Sequence, residues 1–228
     1  MAAPTLIYCA GGNRRFAETA IASGFVYGAR LPDTTYFPLW FADQDWKKPN
    51  RALYVEYLRR ERPTQATVLD LEREGQLAEV LDWAEEVSQY VQRVVIVPKC
   101  FGIIERLPRR VGGADVVLGY SVPTKYAGTE VPTWEFAGWP VHLLGGSPHG
   151  QMRLMYSLDV VSADGNMTNR MAMFARFWVN GTSRNSSNRD RYWPSLDDAD
   201  GVKWGVDAPY EAFRRSCINV WAAWHNLF

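Results

Sequence analysis

The chain has few cysteines, no net charge and no long apolar run, and each shortage excludes something. Its three cysteines, Cys9, Cys100 and Cys217, are far apart and odd in number, so neither a disulfide framework nor a CxxC zinc site is indicated. With 25 Lys+Arg against 25 Asp+Glu, a binder of polyanions through bulk charge is excluded, although local basic patches are not. No stretch approaches the roughly 18 uninterrupted apolar residues that a membrane helix requires. The first residues show no basic start followed by an apolar segment, so a cytoplasmic protein is expected. Glycine patterns that cradle phosphate are missing too, since neither GxGxxG nor GxxxxGK(S/T) occurs.

What is present reads as a folded domain. Hydrophobic residues make up 47% of the 228 positions and aromatics 14%, enough for a substantial core. Short β-branched and aromatic runs alternate with stretches of helical period, the signature of β/α units. Eight strands are expected: 6–10, 26–31, 37–42, 67–71, 94–97, 116–120, 141–144 and 160–163. The clearest helix follows the fourth strand, where Leu77, Val80, Leu81, Ala84, Val87 and Val91 form an apolar stripe. Met167, Met171, Phe174 and Trp178 trace a second. Weaker helices fit 14–23, 51–60, 101–107 and 151–158. Between the second and third strands the connection is too short for a helix, and residues 124–139 carry no helical period. Eight strands with mostly helical crossovers predict a compact, irregular (β/α)8 TIM-like barrel in one domain spanning 1–228, with an open doubly wound sheet as the alternative. A polar loop is expected at 180–207 and a helix at 210–228.

In such a barrel the active site gathers where the strands end. The residues just past each apolar run are Gly11–Asn13, Asp43 to Asp45, Asp70 to Glu72, Lys99–Cys100, Ser121, Gly145 to Ser147 with His149, and Asp164 to Asn166. Asp, Asn, Ser and Gly also favour turns and helix N-caps, and any one of these residues alone is read as such. Carboxylates ending three strands go beyond what capping requires. Asp164 suits a nucleophile that traps an oxocarbenium-like centre. Asp43 or Asp45 suits an acid/base partner, or an acceptor for a heterocycle's N–H groups. Gly145 and Gly146 remove Cβ obstacles to a flat ligand. His149 fits a polar helix start better than catalysis.

Two stretches are locally basic. One holds Arg170, Arg176, Arg184, Arg189 and Arg191, ends beside aromatics, and suits phosphate contact and base stacking. The other runs from Arg93 to Arg110. A solvated face accounts for either equally well. In the terminal helix, Trp221, Trp224, Leu227 and Phe228 read as core packing or as an interface for a protein partner or homodimer.

The motifs FADQDW, LDLE, LLGGSPHG and SADGNMTNR occur in the order found in tRNA-guanine transglycosylases, and the chain resembles that family from about Leu6 to Trp178. The resemblance implies a (β/α) barrel that exchanges guanine for a 7-deazaguanine. It casts Asp164 as nucleophile, Asp43 as acid/base and base-recognition residue, and Asp70 with Gly145 and Gly146 as base contacts. Ser147, Asp45 and Lys99 are the other substrate-binding candidates, and Arg170, Arg184, Arg189 and Arg191 the nucleic-acid contacts. The chain lacks the cysteine-rich zinc site of the tRNA enzymes and has Lys99 to Gly102 in place of their base-reading glutamine-glycine. It is more similar to compact, often phage-borne relatives that insert 7-deazaguanines into DNA, which would place it in the host cytoplasm.

Two functions are therefore expected to compete. In the first, the protein exchanges guanine in DNA for a free 7-deazaguanine base through a covalent Asp164–sugar intermediate, with no cofactor or metal because exchange is near thermoneutral. In the second, it is a non-catalytic subunit that binds nucleic acid or a protein partner. An unrelated barrel hydrolase using Asp43 and Asp164 is a third. The enzyme readings require those two carboxylates to face one pocket; the companion reading does not.

Overall fold

The computed structural model describes residues 3–11, 13–124, 128–181 and 192–226. Among the described residues there are nine strands: β1 (Thr5–Tyr8), β2 (Val26–Leu31), β3 (Phe41–Gln44), β4 (Gln65–Thr67), β5 (Arg93–Ile96), β6 (Arg110–Val111), β7 (Ala114–Ser121), β8 (Pro140–Leu144) and β9 (Asp159–Asp164). All except β6 are parallel, in the order β5-β4-β3-β2-β1-β9-β8-β7, and pairing of β5 with β7 closes the ring. The fold is thus a closed (β/α)8 barrel, and the open sheet is excluded. The two-residue β6, which the sequence reading did not anticipate, adds antiparallel to β7.

Helices α1 (Arg14–Ala22), α2 (Arg51–Glu61), α3 (Leu77–Ser88), α4 (Pro148–Leu154) and α5 (Met167–Ala172) are interleaved with the strands, α6 (Leu196–Asp200) follows, and α7 (Ala208–His225) ends the chain. Asn13 and Asn50 start α1 and α2 by accepting hydrogen bonds from Arg15 N and Leu53 N, which satisfies backbone donors that the first turn leaves unpaired. In α3 the expected stripe is the buried face, with Val80, Ala84 and Val87 fully enclosed. Arg51 reaches from α2 to Asp82 and Glu86 on the polar side of α3.

Several expectations change. The third and fourth strands run Phe41–Gln44 and Gln65–Thr67 rather than 37–42 and 67–71. The helix expected at 151–158 starts earlier, at Pro148, where Ser147 caps it, and ends at Leu154. The segment 101–107 forms only a short 3-10 turn, Ile104–Arg106. The stripe from Met167 stops being helical at Ala172, and Ala175 has φ +52°, which turns the chain away. Trp178 is instead fully buried outside any helix, its backbone N–H donating to Ser216 Oγ of α7. The polar loop contains α6, whose Asp200 pairs with Arg215 of α7. Trp224 is fully buried, so that part of α7 is core, while Leu227 and Phe228 lie outside the described residues. Among the described residues no helix is long and apolar enough to cross a membrane.

Inside the ring sits a separate small apolar cluster, Ile7, Phe41, Val95, Val97 and Val117. The barrel is tight there. A Cβ on Gly119 would come 2.6 Å from Val97 Cγ2 and 2.7 Å from Leu144 Cδ1, so only glycine fits.

Candidate active site

Side chains on a strand alternate between faces, so the residue two positions past an interior one points inward again, nearer the strand's C-terminal end. Ile7 leads to Cys9, Phe41 to Asp43, Val97 to Lys99, Gly119 to Ser121 and Ser162 to Asp164. Above the apolar cluster these residues line a cavity of about 770 Å³ that also receives Arg30, Asp33, Trp46, Thr67, Asp70, Glu72, Glu130 and Gly145. The strand-end positions Asp43, Asp70, Lys99, Gly145 and Asp164 are therefore brought together, and Asp43 and Asp164 face one space.

Asp43 stands on β3. The Thr67 hydroxyl accepts from Gln44 N and donates to Asp43 Oδ1 at 2.9 Å, which fixes the carboxyl against β4. Burial, and then the negative charge of Asp164, pushes the Asp43 carboxyl up to about 7. Asp70 is also raised, chiefly by burial, although Lys99 lies 3.8 Å away and opposes the shift. The Lys99 ammonium also reaches Gly128 O at 3.5 Å. Burial, reinforced by Asp164 and Asp43, holds the Cys9 thiol well above its usual range, so it stays protonated and is a poor nucleophile.

Asp164 ends β9 and is anchored at its backbone. Its carbonyl oxygen accepts from Gly145 N at 3.1 Å and from Gln151 Nε2 at 2.6 Å, while the same Nε2 reaches Gly145 O at 2.7 Å. Gln151 of α4 thereby ties the LLGG turn to the end of β9. Behind the Asp164 side chain, Nε2 of the fully buried His142 lies 3.3 Å from Oδ1.

Six carboxylates and two cations line the cavity: Asp33, Asp43, Asp70, Glu72, Glu130 and Asp164 against Arg30 and Lys99. Arg30 pairs with Asp33 and Lys99 with Asp70. The remaining excess of negative charge disfavours a phosphate inside the cavity and favours a neutral ligand rich in N–H groups.

Three substrate-binding candidates are placed elsewhere. Gly146, with φ +81°, packs where a Cβ would be 2.5 Å from Val122 Cγ1, so it serves the turn. Gly145, with φ +67°, shapes the same turn, but it lines the cavity and nothing lies within 4 Å of its Cβ position. Ser147 caps α4 by accepting from Gly150 N, and Asp45 accepts from Lys47 N in a local turn. Neither they nor Gly146 line the cavity. His149 has the helix-start role expected of it, stacked on Tyr192 with ring centroids 4.2 Å apart. Arg170 is exposed on α5, and Arg184, Arg189 and Arg191 lie outside the described residues. The second basic stretch is not a free face. Arg106 pairs with Glu74, Arg110 with Asp115, and Arg109 lies 3.6 Å from the centroid of the Trp139 ring.

Arg30, Thr67, Trp46 and His142 escaped the sequence reading because it looked past the strands, whereas three of the four sit within them. Period-2 alternation through VYGARL and PVHLL would have found Arg30 and His142.

A search of the curated proteins returns no match. Among solved structures the fold resembles that of the YdjI aldolase from Escherichia coli K12, with a TM-score of 0.51 and 9% identity over 99% of this chain and 90% of that one. That likeness is one of barrel architecture. The DUF6610 family, a family of unknown function, matches residues 20–225, and the chain belongs to it.

Proposed function

We propose that the protein is a transglycosylase that exchanges guanine in DNA for a 7-deazaguanine base. The observation that carries the reading is the pair of carboxylates at one cavity: Asp43, whose carboxyl is raised to about 7, and Asp164, whose charge helps to raise it. An acid/base group works best when its pKa lies near the operating pH, because it can then both give and take a proton. Base exchange needs both, in sequence, from one residue.

In the first half-reaction Asp164 attacks the anomeric carbon. The new bond joins its carboxylate oxygen to C1′ as the C1′–N9 bond breaks, the bonding pair leaves with guanine, and Asp43 supplies the proton the base takes up. In the second half Asp43, now a carboxylate, removes the N9 proton of the incoming 7-deazaguanine. That nitrogen attacks C1′ and releases Asp164. Charge and atoms balance without an outside reductant or oxidant. Asp70 accepts N–H groups along the base edge, Lys99 donates to its carbonyl oxygen, and the open face of Gly145 admits the ring plane. A nucleotide in duplex must first be unstacked. Its phosphates stay outside, in keeping with the acidic cavity.

The test is incorporation of labelled 7-deazaguanines into guanine-containing DNA and, separately, tRNA, by wild type and Asp164→Ala. Label in DNA alone, dependent on Asp164, supports the proposal. Label in tRNA alone overturns the DNA assignment. No label, with DNA still bound, supports the companion-subunit reading, and sugar release without base incorporation supports a hydrolase.

A further inference from the structure

The barrel interior contains a polar chain that the exchange chemistry above does not use. Gln65 on β4, Ser162 on β9 and His142 on β8 are each completely buried. Gln65 Nε2 donates to Ser162 Oγ at 3.3 Å, Ser162 Oγ lies 2.9 Å from His142 Nδ1, and His142 Nε2 is 3.3 Å from Asp164 Oδ1. The last approach is poorly angled, so neither Nε2 nor Oδ1 completes a hydrogen bond, and both atoms are buried. Burying such groups without a hydrogen bond costs free energy, so the pair calls for an explanation.

The backbone is irregular at this point. The β8–β9 register shifts between Val141 and His142, so that Val141 pairs with Val160 but His142 with Ser162. The shift sets His142 beside Ser162, two residues before Asp164, on the same inward face. Bulges commonly re-aim a side chain beside an active site. The His142 ring is braced against Phe41, with centroids 4.8 Å apart.

We infer that His142, held by Ser162 and Gln65, is a positioning residue for Asp164: it presents an Nε2–H to Oδ1, so that only Oδ2 faces the cavity. The carboxylate opposite Nε2 sets the direction, because it favours a ring N–H on that side. Ser162 Oγ, which accepts from Gln65, has a hydrogen to donate to Nδ1. The proton of a neutral ring then sits on Nε2, opposite a carboxylate. The other tautomer would set a lone pair against that charge. With Oδ1 turned toward the buried ring and the Asp164 carbonyl clamped by Gln151, the carboxylate is confined in orientation, which is what attack on an anomeric carbon demands.

The role in catalysis rests on the exchange reading, but the arrangement can be tested without it. The chain has three histidines, so ring 15N signals are assigned with His149→Gln and His225→Gln. At neutral pH the expected result is a His142 ring protonated at Nε2, with signals that move in Asp164→Asn. A ring protonated only at Nδ1, or signals indifferent to Asp164→Asn, overturns the inference whether or not wild type exchanges bases. Given exchange, His142→Leu should lower kcat about 100-fold with KM changed less than about threefold, and His142→Gln should recover much of it by restoring a donor. Should His142→Leu not fold, Ser162→Ala, which frees the tautomer, should lower kcat about tenfold. Unchanged kcat in a folded variant overturns the inference and leaves the exchange reading standing; no exchange by wild type removes that reading and leaves the ring signals to decide the rest.

Discussion

The protein has two interiors that answer to different demands. Between barrel and helices lies a continuous apolar layer in which Leu58, Ala84, Val87, Phe213 and Trp224 are fully buried. Within the barrel the apolar part is a small plug, beside which lie Gln65, paired with Phe41, and the Ser162–His142 pair, with Thr67 and the carboxylates toward the cavity. The outer layer stabilises by removing apolar area from water. The inner one buries polar groups whose orientation is specified by hydrogen bonds and whose protonation is shifted by desolvation. Substitutions in the two layers should therefore separate: outside, stability falls and the chemistry per folded molecule stays; inside, the reverse.

The sharpest contrast is Asp164→Asn against Leu58→Ala. On the exchange proposal the first should reduce base exchange at least about 10,000-fold, since it removes the proposed nucleophile, while the thermal midpoint shifts only slightly. The second should cost about 2–5 kcal/mol of stability by leaving a cavity, with kcat unchanged at a temperature where the variant is folded. Calorimetry and exchange kinetics on the same preparations check both. Loss of kcat in folded Leu58→Ala would erase the distinction between the layers.

Asp43→Asn comes next, with exchange reduced about 100- to 10,000-fold, the range for loss of a general acid/base. The wild-type rate should titrate near pH 7, and the variant should lose that limb. Stability carries an independent sign. In the unfolded chain Asp43 ionises near its ordinary value, 3.8, whereas in the folded chain it keeps its proton until about 7. Between those limits the folded state binds more protons, so this residue lowers stability as pH rises from about 4 to about 7. Thermal melts should show Asp43→Asn gaining on wild type across that interval. A constant difference between the two melting curves would refute the desolvated carboxyl.

These two layers also differ in how far the sequence reveals them. The number and order of the barrel strands and the α3 stripe follow from periodicity, because the outer layer obliges apolar residues to recur at fixed spacing. The third and fourth strands, however, are displaced from 37–42 and 67–71 to Phe41–Gln44 and Gln65–Thr67. Asp43, Asp70, Lys99, Gly145 and Asp164 were legible because a barrel places strand ends together. Gly146, Ser147 and Asp45 misled for a physical reason: turn and cap chemistry selects the same residue types as a binding site. Alternation along PVHLL places His142 on the inward face, but its pairing with Ser162 depends on a register shift that no local pattern announces, and Gln65 is hidden by its position at the start of a three-residue strand.

Gly119→Ala probes the inner layer by volume alone. The added methyl meets Val97, Leu144 and Val95 at 2.6 to 3.0 Å, all within the plug. Overpacking of this kind costs about 1–3 kcal/mol. Because Ser121 and Lys99 stand two residues beyond Gly119 and Val97 on their strands, the displacement should also loosen the cavity wall. A moderate fall in midpoint together with a rise in KM is expected. A fall in midpoint with KM unchanged would mean that plug and cavity are mechanically independent.

The smallest effect should come from the rim. Trp46 lines the cavity yet is 59% exposed, with Lys47 lying 5.2 Å from its ring centroid. If the cavity takes a base as proposed, an exposed indole at its mouth contributes by stacking, worth about 1–3 kcal/mol per base, and a solvated site belongs at the low end. Trp46→Ala should accordingly raise KM for the nucleic-acid substrate about fivefold, a change of about 1 kcal/mol, with kcat and thermal midpoint nearly constant. The effect should shrink when the target guanine lies in duplex rather than single strand if Trp46 stacks on the entering base, and should grow if it fills the gap left behind. Measured on both substrates, that one variant assigns Trp46 to the cavity or to the surrounding strand.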